Sequence, residues 1–303
     1  MGGEFPMINF VKYRAVTAFI SLFLIGGFIG FAVYKKRTTG EVFRYGVDFT
    51  GGAQVLLRFS KPVSSIAIKD ILDKNGWEGA VIREFADNEL LVRVKLEEVA
   101  KELGSVAERM QQVIEKSMKD VQVTILQSEA VGPGVGEALR GKSIRAIVFA
   151  LIAMLLYIAL RFWSFGFALG AVMALFHDAI LMLAVFLLLN REISVNVIGA
   201  VLAVMGYSIN DTIVIFSQIR NNLAKLSHES LGTIVNISIN QTLRRTILTS
   251  VSTGLTVLSM LILGGEALRD FSIALLVGII IGTYSSIYIA SPVMMLLYRD
   301  KKA

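Results

Sequence analysis

Six long apolar runs divide the chain, at about 15–34, 144–160, 165–189, 195–219, 246–263 and 271–298. A helix of roughly 20 apolar residues crosses the hydrocarbon core of a bilayer. No water is available there for backbone N–H and C=O groups, so such a run must satisfy them internally, as a helix. The fold expected is an α-helical membrane protein with six transmembrane helices. The longer runs exceed a bilayer's thickness and are expected to tilt or protrude. Hydrophobic residues make up 54% of the 303, and their clustering into these runs excludes an ordinary soluble protein. The chain has no cysteine, which excludes disulfides and thiolate metal sites. Its net charge of +6 lies mainly in loops beside the apolar runs. That pattern points to lipid headgroups rather than nucleic acid.

Residues 1–6, Met1-Gly2-Gly3-Glu4-Phe5-Pro6, precede a second methionine and read as a cloning remnant. Residues 7–35 form a short tail and the first span. Its apolar core is too long for a typical signal peptide and lacks a small-residue cleavage site, so it is expected to be retained. Gly26 and Gly30 make a G-x-x-x-G pair, which would permit close helix approach.

Residues 36–142 change character: charges appear throughout and apolar runs shorten. Ala53–Phe59 alternates as a strand does, and Val63–Lys74 reads as a helix stopped by Asn75-Gly76. Val81–Phe85 and Glu89–Val94 form a hairpin around Ala86-Asp87-Asn88. Val99–Met118 has helical spacing and Val121–Val131 is again strand-like. The order β-α-β-β-α-β predicts an α+β ferredoxin-like external domain between helices 1 and 2. Val131-Gly132-Pro133-Gly134-Val135-Gly136 follows. Its glycines resemble a phosphate loop, but no dinucleotide-binding unit surrounds them, and a hinge is expected instead.

Residues 143–298 carry the remaining five helices, and 299–303 a tail. Arg161–Ser164, Asn190–Ser194 and Gly264–Asp270 are the expected short connections. In the longer one, 220–245, Leu231, Ile234, Val235 and Ile239 suggest a separate amphipathic helix at the interface. Six spans put both termini on one side. Lys12, Arg14, Arg161, Arg220, Lys225, Arg244, Arg245, Arg299, Lys301 and Lys302 go with them, against Arg191 and Arg269 on the short opposite loops. The positive-inside rule places that side in the cytoplasm. Lys35, Lys36, Arg37, Arg140, Lys142 and Arg145 beside the external domain run against it, though long domains obey the rule poorly.

Polar groups inside the apolar runs carry the functional reading. A carboxylate mid-helix costs about 2.5–3.5 kcal/mol on insertion scales and marks an ion or substrate path by default. Asp211 is such a group, with Tyr207 and Ser208 on its helix face and Asn210 beside it. On the fifth span Gln241, Arg245, Thr249, Ser252, Thr256 and Ser259 recur every three or four residues. They form a polar stripe that reads as a hydrated path, or as hydroxyls bonded to their own backbone. Arg244 and Arg245 either serve the site or snorkel to the interface. His177 and Asp178 lie on the third span about 100° apart, too far around the helix to make one compact site alone; Asp178 is expected to pair with Asn or Ser elsewhere. Two distant histidines and no clustered acids argue against a metal site.

Several motifs, in order, resemble the SecF family of the bacterial Sec protein-export machinery, a branch of the resistance-nodulation-division transporter superfamily. They are Tyr45-Gly46-Val47-Asp48-Phe49-Thr50-Gly51-Gly52, the glycine segment 131–136, Gly206-Tyr207-Ser208-Ile209-Asn210-Asp211-Thr212-Ile213-Val214, and Asn240-Gln241-Thr242-Leu243-Arg244-Arg245-Thr246. The resemblance covers essentially all of residues 7–303. It implies an inner-membrane, non-enzymatic subunit that pairs with SecD and associates with the SecYEG channel and the translocating preprotein. It implies protons as the coupling ion and no cofactor. The family's membrane acid falls on Asp211 and its arginine on Arg245, with Arg244 the competing assignment. Asp48, Gly51 and Gly52 fall on a motif expected to be structural. Two other readings stand beside this one: a non-transporting scaffold joining SecD to the channel, and a small-molecule exporter of the same superfamily.

Overall fold

A computed structural model describes residues 7–85, 88–94 and 106–298. The chain divides into two compact units, 1–44 with 146–191 and 196–303, and 45–145 with 192–195.

The smaller unit is built on a four-stranded antiparallel sheet of β2 (Gly52–Phe59), β3 (Val81–Glu84), β4 (Glu89–Val94) and β5 (Val123–Val131), in the order β3-β4-β2-β5. A two-residue strand β1 (Arg44–Tyr45) and the short helix α2 (Val47–Thr50) precede it. Helices α3 (Ser65–Lys74) and α4 (Val106–Ser117) complete the ferredoxin-like arrangement. The alternation in β2 sends Ala53, Val55, Leu57 and Phe59 to one face. The register puts Val55 opposite Val92 and Leu57 opposite Leu90. Ile68 and Leu72 of α3 and Met110 and Ile114 of α4 close over that face. Ser64 caps α3, its hydroxyl accepting from the Ile66 N–H. The helix ends where Gly76 takes a φ of 89°, which only glycine adopts without strain. The Ser65 side chain, and after it the Ser65 N–H that donates to Glu84 at 2.9 Å, hold the Glu84 carboxyl below the usual range. Ala86 and Asp87 of the expected turn, and the first part of the helix expected over 99–118, lie outside the described residues. Asn88 takes φ 58°, and the Phe85 N–H donates to the Glu89 carbonyl at 2.8 Å, closing the hairpin.

Among the described residues six helices are long and apolar enough to cross a membrane. They are α1 (Arg14–Thr39), α5 (Pro133–Phe162), α6 (Phe165–Leu188), α7 (Val195–Lys225), α8 (Leu231–Leu263) and a last span made of α9 (Gly265–Ser285), a π-helical turn (Ser286–Ala290) and α10 (Ser291–Leu297). A two-residue strand β6 (Glu192–Ile193) precedes α7. The π turn has a sequence cause: Pro292 has no N–H to offer the carbonyl four residues back, and the ladder widens there. Small residues let the last span approach two neighbours. Gly166 and Gly170 of α6 face its C-terminal half, and its own Gly278 and Gly282 face Val204 and Ser208 of α7. At one end Phe162 and Phe167 stack at 5.2 Å, and Phe216 meets Phe167 edge-on at 5.0 Å. Arg161 and Arg220 lie over the Phe162 ring.

Four expectations change. The amphipathic helix expected around 231–239 is not an element of its own: it is the first part of α8, which runs unbroken from Leu231 to Leu263. The connection expected over 264–270 shrinks to Gly264, since α9 starts at Gly265. The glycine segment 131–136, expected as a hinge, is built into regular structure: Val131 ends β5 and Pro133–Gly136 form the first turn of α5. A Cβ at Gly26 or Gly30 would meet nothing within 4 Å, so no described helix packs closely on that pair.

Candidate functional site in the membrane helices

Asp211 lies at the midpoint of α7 and is 3% exposed. Among the described residues its Oδ2 has no hydrogen-bond partner, and neither has the Tyr207 hydroxyl one turn earlier nor the Thr246 hydroxyl on α8. A buried polar atom without a partner costs on the order of 1–3 kcal/mol, so each of these calls for an explanation beyond packing. Arg245 is the cation whose charge reaches Asp211, and Ser250 lies near the carboxyl. Arg245 itself is exposed, and among the described residues no ion pair within 4.0 Å joins it to Asp211. Their interaction is longer-range than an ion pair. Arg244 is exposed as well.

The polar stripe of α8 resolves into two parts. Toward the N-terminal end it binds α7: Asn222 donates to Ser238 Oγ and Gln241 Oε1, both at 2.8 Å, and Gln218 donates to Gln241 at 2.6 Å. Farther along, Thr249, Ser252, Thr256 and Ser259 donate to carbonyls three or four residues back on their own helix. These hydroxyls take the backbone-bonded alternative. Asn210 is exposed, off the face that buries Asp211 and Ser208.

His177 and Asp178 are brought together after all. His177 Nδ1 lies 3.3 Å from Asp178 Oδ1, because both side chains are long enough to turn back across the 100° that separates their Cβ atoms. As expected, Asp178 also takes a serine partner, the Ser208 hydroxyl at 2.6 Å. His177 Nε2 meets Ser21 Oγ at 3.2 Å, and Ser21 meets the Tyr284 hydroxyl at 3.1 Å.

The glycine-rich motifs meet in the smaller unit. Gly51 and Gly52 both have positive φ, 73° and 128°, turning the chain from α2 into β2. Gly136 packs against the backbone of Phe49 and Gly51, where a Cβ would stand 3.0 Å away. The Gly46 N–H donates to the Ile193 carbonyl at 2.9 Å, and Glu192 binds Arg83 at 2.7 Å and Arg93. Asp48 Oδ2 accepts from the Val195 N–H at 2.8 Å, capping the start of α7 from 147 residues away. Asp48→Ala is expected to cost about 1 kcal/mol of stability, with Asp48→Asn losing less. Amide exchange at Val195 checks this: unchanged protection in the alanine variant would dismiss the cap.

Residues 110–300 match the family described as protein export membrane protein SecD/SecF, C-terminal, and residues 42–63 match the SecD/SecF GG motif. The chain belongs to the SecD/SecF family. It is 37% identical to the protein translocase subunit SecF of Thermodesulfovibrio yellowstonii, covering 95% of this chain and 93% of that one. It is 40% identical to the SecF subunit of Pseudomonas aeruginosa, covering 96% and 91%. The crystal structure of SecDF from Thermus thermophilus, a translocon-associated membrane protein, superposes with a TM-score of 0.82 at 35% identity. That match covers 98% of this chain and 39% of the larger one.

Sequence reasoning missed the α1 side of this SecF-family site. Thr17 and Ser21 are the only buried residues of α1. They sit four apart on one face of an otherwise apolar helix, a signal that was available. Ser and Thr so often bond their own backbone that such a pair draws no notice.

Proposed function

We propose that the chain is the SecF-type subunit of a Sec protein translocase, which together with SecD uses the proton-motive force to promote preprotein export across the inner membrane. Asp211 carries the reading: a carboxyl at mid-membrane depth, buried with an unpartnered oxygen, in a chain whose relatives are translocase subunits. An acid so placed alternates between protonated and charged forms as water access and the distance to Arg245 change. One proton crossing 100 mV releases about 2.3 kcal/mol, enough to bias a conformational equilibrium roughly fifty-fold.

The exposed surface supports a SecD partner. Most exposed side chains of α1 and α5 are lipid-like, among them Phe19, Phe23, Phe149 and Leu156. On α7, by contrast, Gly199, Ala203, Gly206 and Asn210 form an exposed small and polar stripe. Small residues let helices approach closely in a membrane. SecD covers this stripe and brings a second polar helix to Asp211. SecYEG and the preprotein are the remaining partners, with the termini cytoplasmic and the ferredoxin-like domain outside.

The test is proton flux and preprotein export in vesicles containing this chain with SecD and SecYEG. Asp211→Asn is expected to leave the complex assembled and to remove the proton-dependent part of both. Unchanged flux and export would make Asp211 structural and the subunit a scaffold.

A further inference from the structure

A second titratable group is buried in the membrane helices. Asp178 is fully buried, His177 is 4% exposed, and Ser21 and Ser208 are 4% and 1% exposed. The directions of the hydrogen bonds around them can be followed one donor at a time. The Thr17 carbonyl can only accept, so the single hydroxyl proton of Tyr284 is spent on it, at 3.0 Å. Tyr284 must then accept from Ser21, which spends that hydroxyl's only proton. Ser21 Oγ therefore accepts from His177, and Nε2 carries a proton. On the other side the Ser208 hydroxyl donates to Asp178 Oδ2. What remains is the contact between Nδ1 and Asp178 Oδ1. It needs one proton, shared as imidazolium with carboxylate or as neutral imidazole with carboxylic acid. Both forms have zero net charge. Removing that proton leaves one uncompensated negative charge among groups at most 4% exposed, which is costly.

We propose that His177 and Asp178 together form a proton-binding site distinct from Asp211, which holds one exchangeable proton between Nδ1 and Oδ1. The site joins four elements: α1 through Thr17 and Ser21, α6 through the pair itself, α7 through Ser208, and the last span through Tyr284. The titratable groups facing it are Tyr284, with Tyr288 and Tyr13 beyond it, and Asp211 one turn past Ser208. Among the described residues no lysine or arginine forms an ion pair with Asp178; its ion-pair partner is His177. Thr17 and Ser21 are the residues that α1 buries, so its buried side meets the other helices at this site. The proposal does not require Asp211 to carry protons.

The test uses the full chain in lipid bilayers, labelled with 15N at histidine, with His228→Gln removing the other histidine signal. The expected result is a protonated Nε2 at neutral pH, and release of one proton per chain from the pair as the pH is raised. Asp178→Asn reproduces the neutral acid, since its NH2 donates to Nδ1 and its oxygen accepts from Ser208. It should fold, keep the Nε2–H tautomer at every pH, and lose the proton release. An Nε2 without a proton in the wild type, or the same release from Asp178→Asn, would overturn the proposal. Either result leaves the role of Asp211 in flux untouched, so the two hypotheses fail separately.

Discussion

Replacing Gly170 with alanine is expected to force α6 away from the last span. A Cβ there would stand 2.6 Å from the Ala290 carbonyl oxygen and 3.1 Å from the Met294 backbone nitrogen. These obstacles are main-chain atoms, so no rotamer change relieves them, and one helix must shift as a body. The site lies among Ala168, Ala171, Ala174 and Leu175, all at most 1% exposed. A close-packed interior of this kind transmits such a shift instead of absorbing it. Overpacking typically costs about 1–3 kcal/mol, and a backbone clash belongs at the upper end. The thermal unfolding midpoint of the purified chain should fall clearly, whereas Gly141→Ala, with nothing within 4 Å on α5, should hold or rise. Equal midpoints for Gly170→Ala and wild type would mean that the approach of these helices is looser than described.

The second large effect is expected at Gly52. Its φ of 128° is strained for any residue with a side chain, and a Cβ would stand 2.6 Å from the Val94 carbonyl oxygen. Strain at such a backbone position costs on the order of 1–3 kcal/mol, and the clash falls on the central β2–β4 pairing, where Ala53 faces Val94. Gly79→Ala separates the two causes, because Gly79 also has positive φ (76°) but open space around it. Hydrogen exchange across residues 53–94 should rise strongly in Gly52→Ala and slightly in Gly79→Ala. If both variants behave alike, backbone conformation alone accounts for the glycine.

Much of the fold was legible because its signals are periodic. The two-residue alternation of 53–59, the Asn75-Gly76 stop and six apolar runs each reflect one local rule. The polar entry to α8 was misread because Asn236, Asn240 and Gln241 look like an interface. The helix continues through them because each finds a partner far away in sequence: Asn236 accepts from the Phe10 N–H at 2.8 Å, Asn240 from the Ile8 N–H at 3.0 Å, and Gln241 from α7. Asp211 announced itself through depth alone. The His177–Asp178 pair did not, because its meaning depends on Ser21, Ser208 and Tyr284, which sequence spacing cannot assemble. Asp48 was placed in a structural motif, but its partner Val195 could only be found in three dimensions.

The π-helical turn at Ser286–Ala290 gives the last span a built-in phase shift. One surplus residue is wound into that turn, and the Ser291 hydroxyl reaches back five positions to the Ser286 carbonyl at 3.3 Å. Everything after it, including Met294 and Leu297, is rotated by about a quarter turn from where an unbroken α-helix would put it. The two halves of this span therefore answer to different neighbours: Gly278 and Gly282 are phased for α7, while Met294 and Leu297 are phased for the glycines of α6. A deletion of one residue in 286–290 would keep the composition of the span nearly intact and could be absorbed by tightening the turn to α. It would keep the first match and swing the second off its target.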